Sequence, residues 1–199
     1  MRLLSLLLVP MLAQAGELSG VVERGGQPVR DAIVYLDAVA TRLQRTVPPA
    51  ILEFQNRRLQ PRALVAFCGG ELILQNGDPL LHVVRVEELS RTNGVTPLVR
   101  VAMPYAGFEK RVALPDCRAP QLLRVAGENG EEQQTAYVAV IPHPWAAVTG
   151  ADGRFALGTL PAGRYRVCVW HETYGVLAQE VKLVNGRPQA VTLQFAATP

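Results

Sequence analysis

The sequence predicts an all-β protein made of β-sandwich domains. Three observations lead there. Short apolar runs recur along the chain, bounded by Gly, Pro, Asn and Asp at the spacing expected of sandwich strands. The run Tyr165 to Trp170 alternates with period two, so Tyr165, Val167 and Val169 share one face and Arg164 and Arg166 the other. Only residues 37–45 have any helical look, and Pro48-Pro49 stops it.

Taken in order, the expected strands are Leu18 to Val22, Ala32 to Leu36, Ala63 to Ala66, Glu71 to Gln75, His82 to Val86, Val99 to Met103 and Glu109 to Leu114. Gln121 to Ala126, Ala136 to Ile141, Arg154 to Leu157, Gly163 to His171, Val176 to Leu183 and Gln189 to Phe195 follow. Arg24 to Gln27, Ala151-Asp152-Gly153 and Pro161-Ala162-Gly163 supply turns, with Gly153 free to take a positive φ.

Met1 to Ala15 reads as a secretory signal. Arg2 is the positive start, Leu3 to Leu12 the apolar stretch, and Ala13-Gln14-Ala15 a small-x-small cleavage site. The expected localisation is periplasmic or secreted, with cleavage after Ala15. No Cys follows Ala15, and no later apolar run reaches the roughly 18 residues of a membrane helix. The net charge is +3, and losing Arg2 makes it smaller still. The arginines Arg42, Arg45, Arg57, Arg58 and Arg62 are not interleaved with aromatics, so nucleic acid is not an expected partner.

Of the three cysteines, Cys68 and Cys117 each end an apolar run in the central segment, and export permits disulfides. We expect them to pair, closing a loop that stabilises the fold by about 4 kcal/mol in the chain-entropy model. Cys168 sits in an alternating strand and reads as a buried small hydrophobe. Sequence alone leaves other connectivities open.

Gly20-Val21-Val22 with Gly26 to Leu36, and later Thr149 to Phe155 with Leu160 to Val167, resemble the carboxypeptidase regulatory-like family, a transthyretin-like (prealbumin-like) sandwich. About a hundred residues separate blocks that normally lie close, implying an insert. Within it Phe54-Gln55-Asn56, Leu59 to Val65, Gly70 to Asp78 and His82-Val83-Val84 resemble the cupredoxin-like Greek-key domain of exported methylamine-utilisation-type proteins. Tyr137 to Val140, His143-Pro144-Trp145 and Trp170-His171 match the join back. The resemblance implies a discontinuous outer sandwich, residues 16–45 and 141–199, around a middle domain, residues 46–140.

The same resemblance places copper ligands. His82 maps to the first histidine, but the thiolate, second imidazole and thioether positions read Glu128, Glu131 and Gln134. A type-1 copper site needs two imidazoles and a thiolate with a weak axial ligand. We therefore expect a degenerate site, His82 as its remnant, and no cofactor. Glu128, Glu131 and Glu132 read as a solvated hairpin tip, without the aspartate-rich pattern of calcium loops. His143, Trp145, Trp170, His171 and Tyr174 form a candidate binding surface. Trp170 lies on the strand face opposite Tyr165, and is exposed if that face meets solvent.

There is no Gly-x-Ser-x-Gly elbow, His-Glu-x-x-His motif or phosphate loop, so an enzyme is not expected. The functional expectation is an exported, non-catalytic binding or structural protein, partnered by an envelope protein or a glycan. A copper electron carrier and a carbohydrate-binding module are the alternatives.

Overall fold

In the computed structural model, described for residues 15–37, 39, 48–90, 94–128, 134–184 and 187–197, the chain is almost entirely strand. The strands are β1 (Ala15–Arg24), β2 (Gln27–Pro28), β3 (Ile33–Asp37), β4 (Ala50–Gln55), β5 (Arg58–Gln60), β6 (Ala63–Phe67), β7 (Glu71–Asn76), β8 (His82–Ser90) and β9 (Gly94–Met103). They continue as β10 (Phe108–Ala113), β11 (Gln121–Gly127), β12 (Thr135–Ile141), β13 (Ala146–Val148), β14 (Arg154–Pro161), β15 (Gly163–His171), β16 (Gly175–Leu183) and β17 (Gln189–Phe195).

Four sheets result, ordered β14-β1-β17 with β2 on β1, β13-β3-β15-β16, β6-β12-β11-β8-β9, and β10-β7-β4-β5. They stack in that order, because each of three hydrophobic clusters joins two neighbours. Leu18, Phe155 and Leu193 of the first sheet meet Val34, Val167 and Leu183 of the second. Ile33, Tyr35 and Cys168 of the second meet Ala63, Ala139 and Ile141 of the third. Val84, Val125 and Val138 of the third meet Leu52, Phe54 and Leu74 of the fourth. Two sandwiches are thus pressed face to face through a third apolar layer. The outer one is built from both ends of the chain and the inner one from the middle.

This stacking decides the burial pattern. Strands of the end sheets alternate, as β14 does. In the two middle sheets, the strands at the junction are covered on both faces and lose the alternation: Ile33 to Leu36 of β3 are all buried, as are Val138 to Ile141 of β12. Successive residues point to opposite faces, so Val34 and Leu36 enter the outer core while Ile33 and Tyr35 enter the junction.

Several expected features are present. Cys68 and Cys117 form a disulfide with Cα atoms 5.3 Å apart, and Cys168 is buried outside it. Gly153 has φ +72°, and a Cβ there would press on the Val22 carbonyl. The sequence reading missed β2, β4, β5 and β13. The expected signal lies outside the described residues apart from Ala15, as does the helical stretch apart from Asp37, the end of β3, and residue 39. No helix among the described residues is long and apolar enough to cross a membrane.

Candidate functional site

The end of the middle sandwich that holds His82 is organised by three side chains in the β7–β8 connection. Asn76, buried at the end of β7, donates from Nδ2 to the carbonyls of Leu80 (2.8 Å) and Met103 (2.9 Å). Its Oδ1 accepts from the amide of Asp78 at 2.9 Å. That local turn aims the Asp78 carboxylate at the β4–β5 hairpin, whose two central residues, Asn56 and Arg57, have φ +55° and +62°. Two positive-φ residues make a type I′ turn, which matches strand twist but strains a non-glycine side chain. Asp78 Oδ1 accepts from the Asn56 amide (2.7 Å) and Oδ2 from the Arg57 amide (2.8 Å), offsetting that strain.

Asp78 Oδ2 also lies 2.9 Å from His82 Nε2. Burial alone would raise the Asp78 carboxyl, but the Arg57 amide, His82 and the Asn56 amide together hold it below the usual aspartate value. An ionised carboxylate only accepts, so His82 Nε2 carries the hydrogen. The imidazole lies flat on Phe54, with ring centroids 4.0 Å apart and planes within 7°, and is 7% exposed. Its tautomer and orientation are therefore both set by the fold.

Glu128 after β11 and Gln134 before β12 lie at the same end. The Glu128 amide donates to the Val83 carbonyl at 2.9 Å. A cavity of about 310 Å³ is lined by Arg57, Leu80, Leu81, His82, Val83, Glu128 and Gln134. The structure thus brings together three of the four positions that the resemblance singled out; Glu131 lies outside the described residues. Glu128 turns its carboxylate to Arg100, whose Nε and Nη2 donate at 2.8 and 2.9 Å. That pairing, with a weaker pull from the nearby Arg85, holds its carboxyl below the ordinary value against the opposing effect of burial. Gln134 is buried and packs against Gly127. It therefore departs from the solvated hairpin tip expected of this stretch, because its side chain fills the space that a Cβ at 127 would take.

These residues do not fit a type-1 copper ion. No thiolate is within reach: Cys68 and Cys117 are joined to each other, and Cys168 is buried in the junction between the sandwiches. One imidazole is present, and the facing groups are a carboxylate and an amide, hard donors that do not make a copper–thiolate site. Among the described residues no three His, Cys, Asp or Glu side chains are placed to hold a metal.

The five residues of the candidate binding surface fall in three places. His143 is buried; its Nε2 donates to the Leu36 carbonyl (2.9 Å) and its Nδ1 accepts from the Trp145 amide (3.3 Å). Burial lowers its pKa, against weaker upward pulls from the Leu36 carbonyl and Asp37. Trp145 donates from Nε1 to the Thr159 carbonyl at 3.1 Å, so this pair fastens the chain where it re-enters the outer sandwich. Trp170 packs on Tyr137 across the junction, 4.7 Å between centroids. The face it occupies meets the second sandwich, so Trp170 is half-buried and not an open platform. His171 stacks on Tyr174 at 4.5 Å, and the Arg24 guanidinium lies 4.7 Å from the Tyr174 ring centre. One surface made of all five is therefore not formed.

Sequence reasoning missed a second cluster, on the third sheet's face toward the outer sandwich. Arg62 places Nε and Nη2 on the Glu172 carboxylate and Nη1 on the Thr135 carbonyl (2.8 Å), joining the two sandwiches. Arg124 donates from Nε and Nη2 to Glu87 Oε2, its cross-strand neighbour. Sequence spacing gives no sign of either pair: the register of β8 against β11 brings Glu87 to Arg124, and the packing of the two sandwiches brings Arg62 to Glu172.

No family model matches this chain, and no curated protein does. Among solved structures, a purple cupredoxin from Nitrosopumilus maritimus is similar at 12% identity and TM-score 0.34, over 46% of this chain and 98% of that one. A reduced copper(I) form of an amicyanin variant is similar at 10% identity and TM-score 0.36, over 55% and 98%. A copper-containing nitrite reductase from Thermus scotoductus SA-01 is similar at 14% identity and TM-score 0.36, over 60% of this chain and 28% of that one.

Proposed function

We propose that this is an exported, non-catalytic binding or structural protein. In this reading its middle sandwich is a cupredoxin-type domain that has become a scaffold, inserted in a carboxypeptidase regulatory-like sandwich. The observation that carries the reading is the state of His82. Its Nε2 is committed to Asp78, its ring is committed to Phe54, and the groups facing it are Glu128, paired with Arg100, and Gln134. Side chains at the end of the sandwich where a copper site would lie are engaged in holding three connections together. A copper–thiolate centre would find no sulfur donor among the residues lining that cavity, and the Cys68–Cys117 disulfide supports an oxidising compartment.

The test is metal content by mass spectrometry, with an absorption spectrum, on mature protein exported from copper-supplemented cells. A folded, colourless protein with substoichiometric metal is the expected result. Near-stoichiometric copper with an intense visible band would overturn the reading and make the protein an electron carrier.

A further inference from the structure

We propose that the cleft between the two sandwiches binds a small oxyanion, a carboxylate or phosphate group, held by Arg85 and Arg124 of the middle sandwich beside Thr173 of the outer one. The cleft has a volume of about 370 Å³, room for such a group on a small organic body. Its floor is the third sheet, where Arg85 on β8 and Arg124 on β11 project from the face turned to the outer sandwich. Its far wall is the turn between β15 and β16, carrying Glu172 and Thr173.

Donors outnumber acceptors in this cleft. Glu87 gives Oε2 to both donating nitrogens of Arg124, while its Oε1 is 3.7 Å from Arg85 Nε, beyond hydrogen-bond reach. A guanidinium offers five N–H donors. Arg124 therefore keeps three, and Arg85 has no hydrogen-bonded acceptor among the described residues. Glu172 is already filled by the Arg62 fork and by the Tyr137 hydroxyl. Three guanidiniums against the two carboxylates Glu87 and Glu172 leave one uncompensated positive charge. The chemistry missing from the cleft is a multivalent anionic acceptor, and planar guanidinium forks suit carboxylate and phosphate oxygens. The site lies on a different face from the His82 cavity and stands whether or not that cavity takes a metal.

The test is titration of the full mature protein with inorganic phosphate and, separately, with citrate. Ionic strength is held constant with chloride, and binding is read by calorimetry and thermal shift. Constant ionic strength removes general screening from the comparison. We expect saturable binding of at least one anion, a rise in Tm that chloride does not give, and at least tenfold weaker binding in Arg85→Gln. Glu172→Gln should bind more tightly, since it neutralises the carboxylate competing for the cleft, a sign that mere structural damage would not produce. Thr173→Val, which leaves the Arg62–Glu172 pair in place, should weaken binding without changing the ligand-free Tm. Phosphate alone, or citrate alone, would assign the group. Absence of saturable binding by either, or wild-type affinity in Arg85→Gln, would overturn the proposal.

Discussion

Asp78→Ala removes the one carboxylate that ties the β4–β5 hairpin, the β7–β8 connection and His82 together. Two backbone amides donate to it at 2.7 and 2.8 Å, and hydrogen bonds to charged groups contribute about 1.5–3 kcal/mol each. Asn56 and Arg57 sit in an exposed turn, so water recovers part of that, which favours the lower end. His82 Nε2 is buried and loses its acceptor, a further cost of about 1–3 kcal/mol. The expected destabilisation is about 4–6 kcal/mol for Asp78→Ala, and less for Asp78→Asn, which keeps one acceptor. The pH dependence has a fixed sign. Asp78 is held below its ordinary value of about 3.8, so its stabilisation is complete above that value. It is lost as pH falls through the lowered folded-state value. Urea unfolding of wild type, Asp78→Ala and Asp78→Asn at pH 7 and near pH 3 is the assay, and the gap from wild type should shrink on acidification. A gap below about 1 kcal/mol at pH 7 for Asp78→Ala, or one that does not narrow in acid, would refute the account.

Reducing Cys68–Cys117, or replacing both with Ser, should cost about 4 kcal/mol from the loop of 49 residues it closes, read as a fall in the urea midpoint. His143 is held neutral by burial, with its folded-state value below 6.5, so it contributes stability above pH 6.5 that declines as pH falls toward the lowered value. His143→Gln should therefore be destabilised at pH 7.5 and show a flatter stability profile between pH 7 and 5; His171, also lowered by burial, keeps a slope in both proteins. A double-mutant cycle on Arg62→Ala and Glu172→Ala should give a coupling of about 1–2 kcal/mol, since the pair is bidentate and only about a fifth exposed. Residues 48–141 expressed alone should self-associate on size-exclusion chromatography, because Ala63, Leu122, Ala139 and Ile141 lose their cover.

Strands with clear turn punctuation were readable because one local pattern sufficed. Arg154 to Leu157 follows an Asp-Gly turn and Gly163 to His171 a Pro-x-Gly turn, and both are strands in the structure. β4 and β5 were not readable as a hairpin because Asn56-Arg57 lacks the glycine that usually marks a type I′ turn, and the compensating carboxylate lies 21 residues away from Arg57. The Cys68–Cys117 pair was legible from where the apolar runs end. Trp170 shows the limit. Its strand face could be read by alternation, but whether that face meets solvent or a second sheet depends on domain packing, which leaves its trace only as unbroken apolar runs such as Ile33 to Leu36. The meeting of His82 with Glu128 and Gln134 was suggested by resemblance alone, and the Arg62, Arg85 and Arg124 cluster by nothing local.

Packing at this end of the middle sandwich separates residues that folding fixes from residues it leaves open to change. Removing a buried imidazole is not neutral when Asp78 has been placed to accept from it and Phe54 to stack on it. Glu128 can be replaced at little cost, because it is half-exposed and its partner Arg100 also lies in water. Loss of a buried, shared group damages three connections at once, while loss of an exposed one damages none. The residues facing the cavity divide along that line: His82, Asp78 and Asn76 are buried and interlocked, and Glu128 is half-exposed and paired outward. The rim of this cavity can therefore change with little effect on stability, while its floor is fixed by folding.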